Sequence, residues 1–182
     1  MIEFKITGLG IDTRSNNPLV LLHSEDNWVL PIWIGRLEAQ SIAIALQGEK
    51  LERPLAHDLI LNLIEKTGYE MNHIEIKDVK DGTFYANLVL KNLNSEDLLT
   101  LDARPSDCIA IAIRSQVPIL ISDFVKEVSC IPAIIREGNN EDYDEEENLF
   151  GRNISPLDES NKEDFLNFLK DVKASDFKLP ES

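Results

Sequence analysis

Residues Leu101–Arg114, LDARPSDCIAIAIR, mark the point at which a strand runs into a buried helix. The five residues Ile109–Ile113 are all apolar, which indicates a helix that is buried nearly all round. Arg104-Pro105 opens this helix, because proline is well tolerated at the first helical position. We expect the helix to run to about Ser115, and we expect a strand over Leu98–Ala103 to lead into it.

Upstream of that stretch, the pattern predicts three strands followed by a helix. Alternating or apolar segments separated by turn residues place the strands at Glu3–Ile11, Leu19–His23 and Trp28–Ile34. The short turns between them favour an antiparallel meander. Gly35 then interrupts the strand pattern, and the residues that follow suit a buried helix over Arg36–Gln47.

A second helix and a hairpin are expected next. Arg53-Pro54 opens the helix, with proline again at the first helical position, and Gly68 ends it. The segments Ile74–Val79 and Thr83–Leu90 are predicted strands joined by an Asp-Gly turn.

A short strand and a short helix follow the central stretch. Val117–Ile121 is apolar, and its Pro118 suits an edge or strand-start position. Ser122 or Asp123 caps a helix that runs through Val128. Together these elements predict an α+β fold, in which helices pack on a mixed, largely antiparallel sheet within one domain over residues 1–135.

The remaining residues have a different character. The stretch 137–147 holds seven acidic residues and no basic one, which predicts a mobile loop within a segment over residues 136–160. Residues 161–182 are expected to form an amphipathic helix over Asn161–Ala174 and a frayed tail. The helix would present Phe165, Phe168, Leu169 and Val172 on one face.

The composition limits the classes of function. A net charge of −15 argues against a nucleic-acid binder that works through a broad basic face. An anionic substrate would therefore need local arginine or lysine residues, or a bound cation. No stretch approaches the roughly 20 apolar residues that span a bilayer, and the first residues resemble a strand rather than a signal peptide. We expect a soluble, cytoplasmic protein with no membrane partner.

The polar residues around the start of the central helix are the first candidate site. Ser106 and Asp107 can bind free N–H groups of the first turn, which is a purely structural role. Asp102 and Arg104 are charges beside a buried element and should be paired, either with each other or as Arg104 with Asp107. The functional alternative uses the same groups, because an arginine fork suits a phosphate and two carboxylates suit Mg²⁺ or Mn²⁺.

Two further helix starts carry candidate residues. Arg53, His57 and Asp58 lie at the start of the second helix, where His57 is either a surface residue or a group for acid–base work or metal ligation. Glu38 lies in the first turn of the first helix. There it either complements the helix dipole or serves as a third acidic ligand.

Several motifs, taken in order, resemble the bifunctional nuclease domain family. They are LPIWIGRLEAQSIA, ERPLAHDLI, GTFYANLVL and LDARPSDCIAIAIR followed by VPILIS. The resemblance covers roughly Met1–Pro132, and the ending DFLNFLKDVKASDF is also similar. The positions that match the family's motifs are Gly35, Glu38, Arg53, Pro54, His57, Asp58, Asp102, Arg104, Pro105, Ser106 and Asp107.

The resemblance implies a compact α/β domain that self-associates into a homo-oligomer, with nuclease activity on RNA and DNA. On that basis the expected function is phosphodiester hydrolysis, assisted by a divalent metal such as Mg²⁺ or Mn²⁺. The alternative is a non-enzymatic binding or regulatory module in which the Asp/Arg cluster is a structural clasp. The candidate catalytic residues are Asp102, Asp107, Glu38 and His57, the candidate substrate-binding residues are Arg53, Arg104 and Ser106, and the candidate metal ligands are Asp102, Asp107 and Asp58.

Overall fold

A mixed β-sheet forms the frame of the protein. We describe a computed structural model over residues 1–12, 15–48, 52–132 and 154–156. Eight strands follow the order β6-β5-β4-β7-β1-β2-β3-β8, and β9 pairs with the far end of β1. Among the described strands only β4 and β7 pair in parallel, so the predicted α+β fold with a largely antiparallel sheet is confirmed. The strands are β1 (Ile2–Asp12), β2 (Asn17–Ser24), β3 (Trp28–Trp33), β4 (Tyr69–Lys80), β5 (Thr83–Asn92), β6 (Leu98–Ala103), β7 (Ile119–Ile121), β8 (Ile131–Pro132) and β9 (Ile154–Pro156).

The helices pack around one central element. They are α1 (Arg36–Leu46), α2 (Ala56–Lys66), α3 (Pro105–Ser115) and α4 (Asp123–Ser129). Helix α3 contacts α1, α2 and strands β4 and β5, and its apolar residues Cys108–Ala112 are all buried. The predicted buried helix is therefore confirmed, and so is the cap of α4, where the Ser122 hydroxyl accepts a hydrogen bond from the Val125 N–H.

One predicted detail is wrong, and one of two predicted alternatives is excluded. Helix α2 begins at Ala56 and not at Arg53-Pro54, because Leu55 is extended and Asp58 accepts its N–H at 2.8 Å. Asp58 thereby closes the first turn of the helix and leaves Arg53 outside it. Strand β7 does not lie at an edge, because it pairs with β1 on one side and β4 on the other. Pro118 precedes the strand, as the alternative strand-start position requires.

The C-terminal predictions are only partly within the described residues. Strand β9 lies inside the segment 136–160, for which the sequence predicts a mobile loop. The strand pairs antiparallel with Gly10–Asp12. The acidic stretch 137–147 and the helix expected over Asn161–Ala174 lie outside the described residues. Among the helices that the structure describes, none combines the length and apolar character needed to cross a membrane.

Candidate functional site

Arg104 connects two of the predicted helix starts. It is the last residue before α3, and its Nη1 donates to Glu38 Oε1 on α1 at 2.7 Å. Its Nε and Nη2 donate to the two carboxylate oxygens of Asp107, at 2.9 and 3.3 Å. The hydrogen bonds that Arg104 donates to Asp107 and then to Glu38 raise the pKa of Arg104, so the guanidinium stays charged. Its side chain is 66% exposed, and the outer end of the site therefore faces solvent.

Asp107 extends these contacts to the third helix start. Its Oδ1 lies 3.1 Å from His57 Nε2 on α2. Burial opposes ionisation of the Asp107 carboxyl, but hydrogen bonds from Arg104 and His57 outweigh burial and lower its pKa. Asp107 is therefore an anion at neutral pH and can stabilise a positive charge on the His57 ring.

His57 also contacts a serine that the sequence did not single out. Its Nδ1 lies 2.8 Å from Ser41 Oγ on α1. An ionised carboxylate only accepts hydrogen bonds, so the contact with Asp107 places a proton on His57 Nε2. In the neutral ring Nδ1 then accepts from the Ser41 hydroxyl. This Ser-His-Asp order gives the ring one proton to donate and one position at which to accept a proton.

The network continues inward to a second ion pair. Arg114, near the end of α3, donates from Nη2 to the carbonyl and hydroxyl oxygens of Ser41, at 3.1 and 3.3 Å. Its Nε donates to Asp58 Oδ1 at 2.9 Å, and its Nη1 donates to the Ala110 carbonyl at 2.8 Å. Only 9% of the Arg114 side chain is exposed. This inner pair joins the helices around α3 beneath the surface.

The residues fall into two groups by position. We call Glu38, Arg104 and Asp107 the outer cluster, and Ser41, Asp58 and Arg114 the inner cluster, with His57 between them. The outer cluster combines a charged, exposed guanidinium with an ionised carboxylate beside an imidazole. That combination suits binding of a phosphate and transfer of a proton. The inner cluster has its donors directed at protein oxygens.

Within the described part of the chain, three predicted site residues make no hydrogen bond or ion pair with this network. Asp102 on β6 pairs with Lys77 at 3.2 Å, and its side chain is 76% exposed. Arg53 is exposed and lines a cleft beyond the inner cluster. Ser106 is buried in the first turn of α3.

The candidate metal ligands do not fit a metal site as they stand. Asp102, Asp107 and Asp58 each contact a different basic side chain, so their oxygens already carry opposite-charge partners. Across the described ranges, no group of three or more His, Cys, Asp or Glu side chains is placed to hold a metal ion. We therefore derive no catalytic step through a metal.

Sequence reasoning missed Ser41 and Arg114 as members of the network. Ser41 follows Glu38 by three positions on α1, and Arg114 follows Asp107 by seven on α3. Both spacings return a side chain to the same helix face. That periodicity was the available signal, since each residue continues the face on which a predicted site residue lies.

Comparisons with known proteins agree with the motifs. The profile of the bifunctional nuclease domain matches residues 19–133. An uncharacterized protein of Mycobacterium tuberculosis is 36% identical over 179 residues, which is 98% of this chain and 99% of that protein. Bifunctional nuclease 1 of Arabidopsis thaliana is 26% identical over 112 residues, and bifunctional nuclease 2 of Oryza sativa subsp. japonica is 29% identical over 117. These matches cover 60% and 63% of this chain, but only 34% and 36% of the plant proteins. The chain belongs to the bifunctional nuclease domain family.

Proposed function

We propose that this protein is a nuclease that hydrolyses phosphodiester bonds in RNA and DNA at the outer cluster. One observation carries the proposal: an exposed arginine and an ionised aspartate at the start of α3 form one continuous hydrogen-bonded chain with a histidine on α2. Membership of the bifunctional nuclease domain family, and the names of the plant relatives, support the same reaction class.

Arg104 is the proposed phosphate-binding residue. A guanidinium has five N–H donors, and three of them contact Asp107 and Glu38. Two donors on an exposed side chain remain for a phosphate oxygen. Because the protein carries a net charge of −15, a local cation at this position offsets the repulsion that the substrate meets.

His57 is the proposed acid–base residue. Because Nε2 keeps its proton towards Asp107, Nδ1 is the acceptor: it exchanges the Ser41 hydroxyl for the attacking water and takes a proton from that water as the new P–O bond forms. Nδ1 then returns that proton to the leaving oxygen as the old P–O bond breaks. Asp107 stabilises the imidazolium between these steps, and Glu38 holds Arg104 in place. Metal assistance and self-association stay predictions, which EDTA treatment and light scattering would test.

A second candidate function follows from the inner cluster. Arg114 is nearly buried and has its hydrogen bonds directed at Asp58, Ser41 and Ala110. Such an arrangement favours a non-enzymatic binding or regulatory module in which the whole network clasps α1, α2 and α3 together. In that case substitutions in the outer cluster would change stability only, and the independence of cleavage from them would identify this function.

A cleavage assay separates the two functions. Labelled single-stranded RNA and DNA are incubated with wild type and with Arg104→Gln, each with and without EDTA. Lys5→Gln is the matched control, because Lys5 is 67% exposed and also pairs with a surface carboxylate. We expect Arg104→Gln to cleave about 100-fold more slowly and Lys5→Gln to match wild type. Equal cleavage by all three proteins would indicate a contaminating nuclease and contradict the proposal.

A further inference from the structure

A cleft of about 740 Å³ lies beyond the inner cluster. It is bounded by the end of α1, the first turns of α2 with the residues before them, and the end of α3. Its volume is in the range of sites that bind small molecules. The proton-transfer chemistry proposed above does not use this cleft.

Several polar side chains of the cleft have no partner among the described residues. Arg53, Asn62 and Gln116 line it, and within the described part of the chain their side chains make no hydrogen bond or ion pair. An arginine can bind a phosphate oxygen, and side-chain amides can bind the edge of a base with a donor and an acceptor together. These three residues therefore supply the groups that a nucleotide would contact.

The same cleft offers apolar surface. Ile44, Leu61 and Ile113 line it, and each is partly buried. Apolar side chains of this kind can cover the face of a base, while the amides contact its edge. A mixture of apolar surface and a few polar groups is typical of small-molecule sites.

The charge of the cleft favours a phosphodiester over a terminal phosphate. Arg114 and Asp58 neutralise each other across 2.9 Å, and Glu52 lines the cleft next to Arg53. The formal charges of these four side chains cancel. A phosphodiester carries one negative charge, whereas a terminal phosphate approaches two at neutral pH. Repulsion by Glu52 and Asp58 therefore weakens the binding of the terminal phosphate more.

The cleft and the outer cluster lie along the same helix. Arg114, which lines the cleft, follows Asp107 by seven residues on α3, a separation of about 10 Å along the axis. Stacked nucleotides advance by about 3.4 Å each, so about three of them cover that separation. A strand of about that length, running along α3 from Arg104, would reach the level of the cleft.

We propose that this cleft binds a nucleotide unit of single-stranded nucleic acid, on one side of the phosphate that is cleaved. Arg53 contacts the internal phosphodiester, Asn62 and Gln116 contact a base edge, and the apolar residues cover the base. This inference rests on the proposed nuclease function for its ligand class. It adds a binding site whose residues are separate from the outer cluster.

The test measures binding of the dinucleotide ApA by calorimetry, with chromatography to show that the ApA stays intact. We expect saturable binding to wild type, weakened about 10-fold in Arg53→Gln and also weakened in Asn62→Ala/Gln116→Ala. Lys66→Gln, a charge change at the exposed far end of α2, should bind as wild type does. Melting curves show whether each variant is folded. Equal affinity in wild type and both cleft variants, or no saturable binding to wild type, would overturn the proposal.

Two further arms separate this proposal from the proposed function. Adenosine monophosphate should bind more weakly than ApA, and tighter binding would overturn the assignment to an internal phosphodiester. If ApA binding depends on Arg53 but RNA cleavage does not depend on Arg104, the cleft proposal is supported. That result contradicts only the proposed nuclease function. If RNA cleavage depends on Arg104 but ApA binding does not depend on Arg53, the cleft proposal is overturned and the proposed nuclease function is still supported.

Discussion

The two arginines near the two ends of α3 have the same chemistry and different surroundings. Arg104 and Arg114 each pair with a carboxylate from a neighbouring helix, at 2.7 and 2.9 Å. Both arginines bond to protein oxygens through all three of their nitrogens. Arg104 is 66% exposed and makes three hydrogen bonds, which leaves two N–H donors for a ligand. Arg114 is 9% exposed and makes four. An ion pair alone therefore does not distinguish a binding residue from a structural one. Exposure and the remaining donors make that distinction.

The largest expected effect comes from replacing His57, which lies between the two clusters. His57→Gln should slow cleavage about 1000-fold, because glutamine keeps hydrogen-bonding groups near Asp107 and Ser41 but cannot take up a proton. Single-turnover cleavage of labelled RNA measures this loss. A cleavage rate within about twofold of wild type would mean that His57 only connects the helices.

Arg114→Gln should have the largest effect on stability. Removing the buried guanidinium leaves Asp58 and the Ser41 and Ala110 carbonyls without their donor. We expect a loss of about 3 kcal/mol, at the low end for a broken buried pair because Asp58 is itself more than one-third exposed. Urea unfolding measures the change, and Lys5→Gln, which breaks an exposed pair, should lose at most about 1 kcal/mol. Similar small losses in both variants would contradict the structural role of the inner cluster.

Asp107 should make stability depend on pH in the acid range. Its pKa is lower in the folded protein than in the unfolded chain, so the ionised carboxylate stabilises the fold fully above about pH 4. That contribution is lost as the pH falls through the lowered folded pKa. The difference in melting temperature between wild type and Asp107→Asn should therefore shrink as the pH is lowered from neutral into this range. A difference that stays constant with pH would mean that the carboxylate is not preferentially ionised in the fold.

Asp102→Asn should have the smallest effect. Its partner is Lys77 on β4, two strands away in the sheet. Exposed pairs of this kind contribute roughly 0–1 kcal/mol. Cleavage should stay at the wild-type rate, measured in the same RNA assay as for His57→Gln. A loss comparable to that of His57→Gln would place Asp102 in the reaction.

Much of the fold could be predicted because its signals are local. The apolar residues of α3, the Asp-Gly turn between β4 and β5 and the serine cap of α4 each identify an element within a few residues. The predicted start of α2 is wrong because the Asp58 side chain accepts the N–H of the extended Leu55 and so fixes the first turn there. The preference of proline for the first helical position does not predict that hydrogen bond. The central position of β7 depends on its pairing with β1 and β4, which a three-residue strand does not reveal.

The candidate site was predicted less completely for a related reason. The helix starts carrying Glu38, His57 and Asp107 could be recognised individually, since acidic and basic residues at helix starts have known roles. Their convergence depends on how α1 and α2 pack against α3. Ser41 and Arg114 lie further along those helices, and only the packing brings them to His57 and Asp58. Asp102 is close to Arg104 in sequence, but it contacts Lys77 on the sheet.

Cleavage by Arg104→Ala, with and without added guanidinium ion, tests the assignment of the outer cluster most directly. We expect the rate to fall about 100-fold, the melting temperature to change little because the side chain is exposed, and guanidinium to restore part of the rate. A wild-type rate in Arg104→Ala, or a loss of rate explained by a lower melting temperature, would contradict the division between a reactive outer cluster and a structural inner cluster.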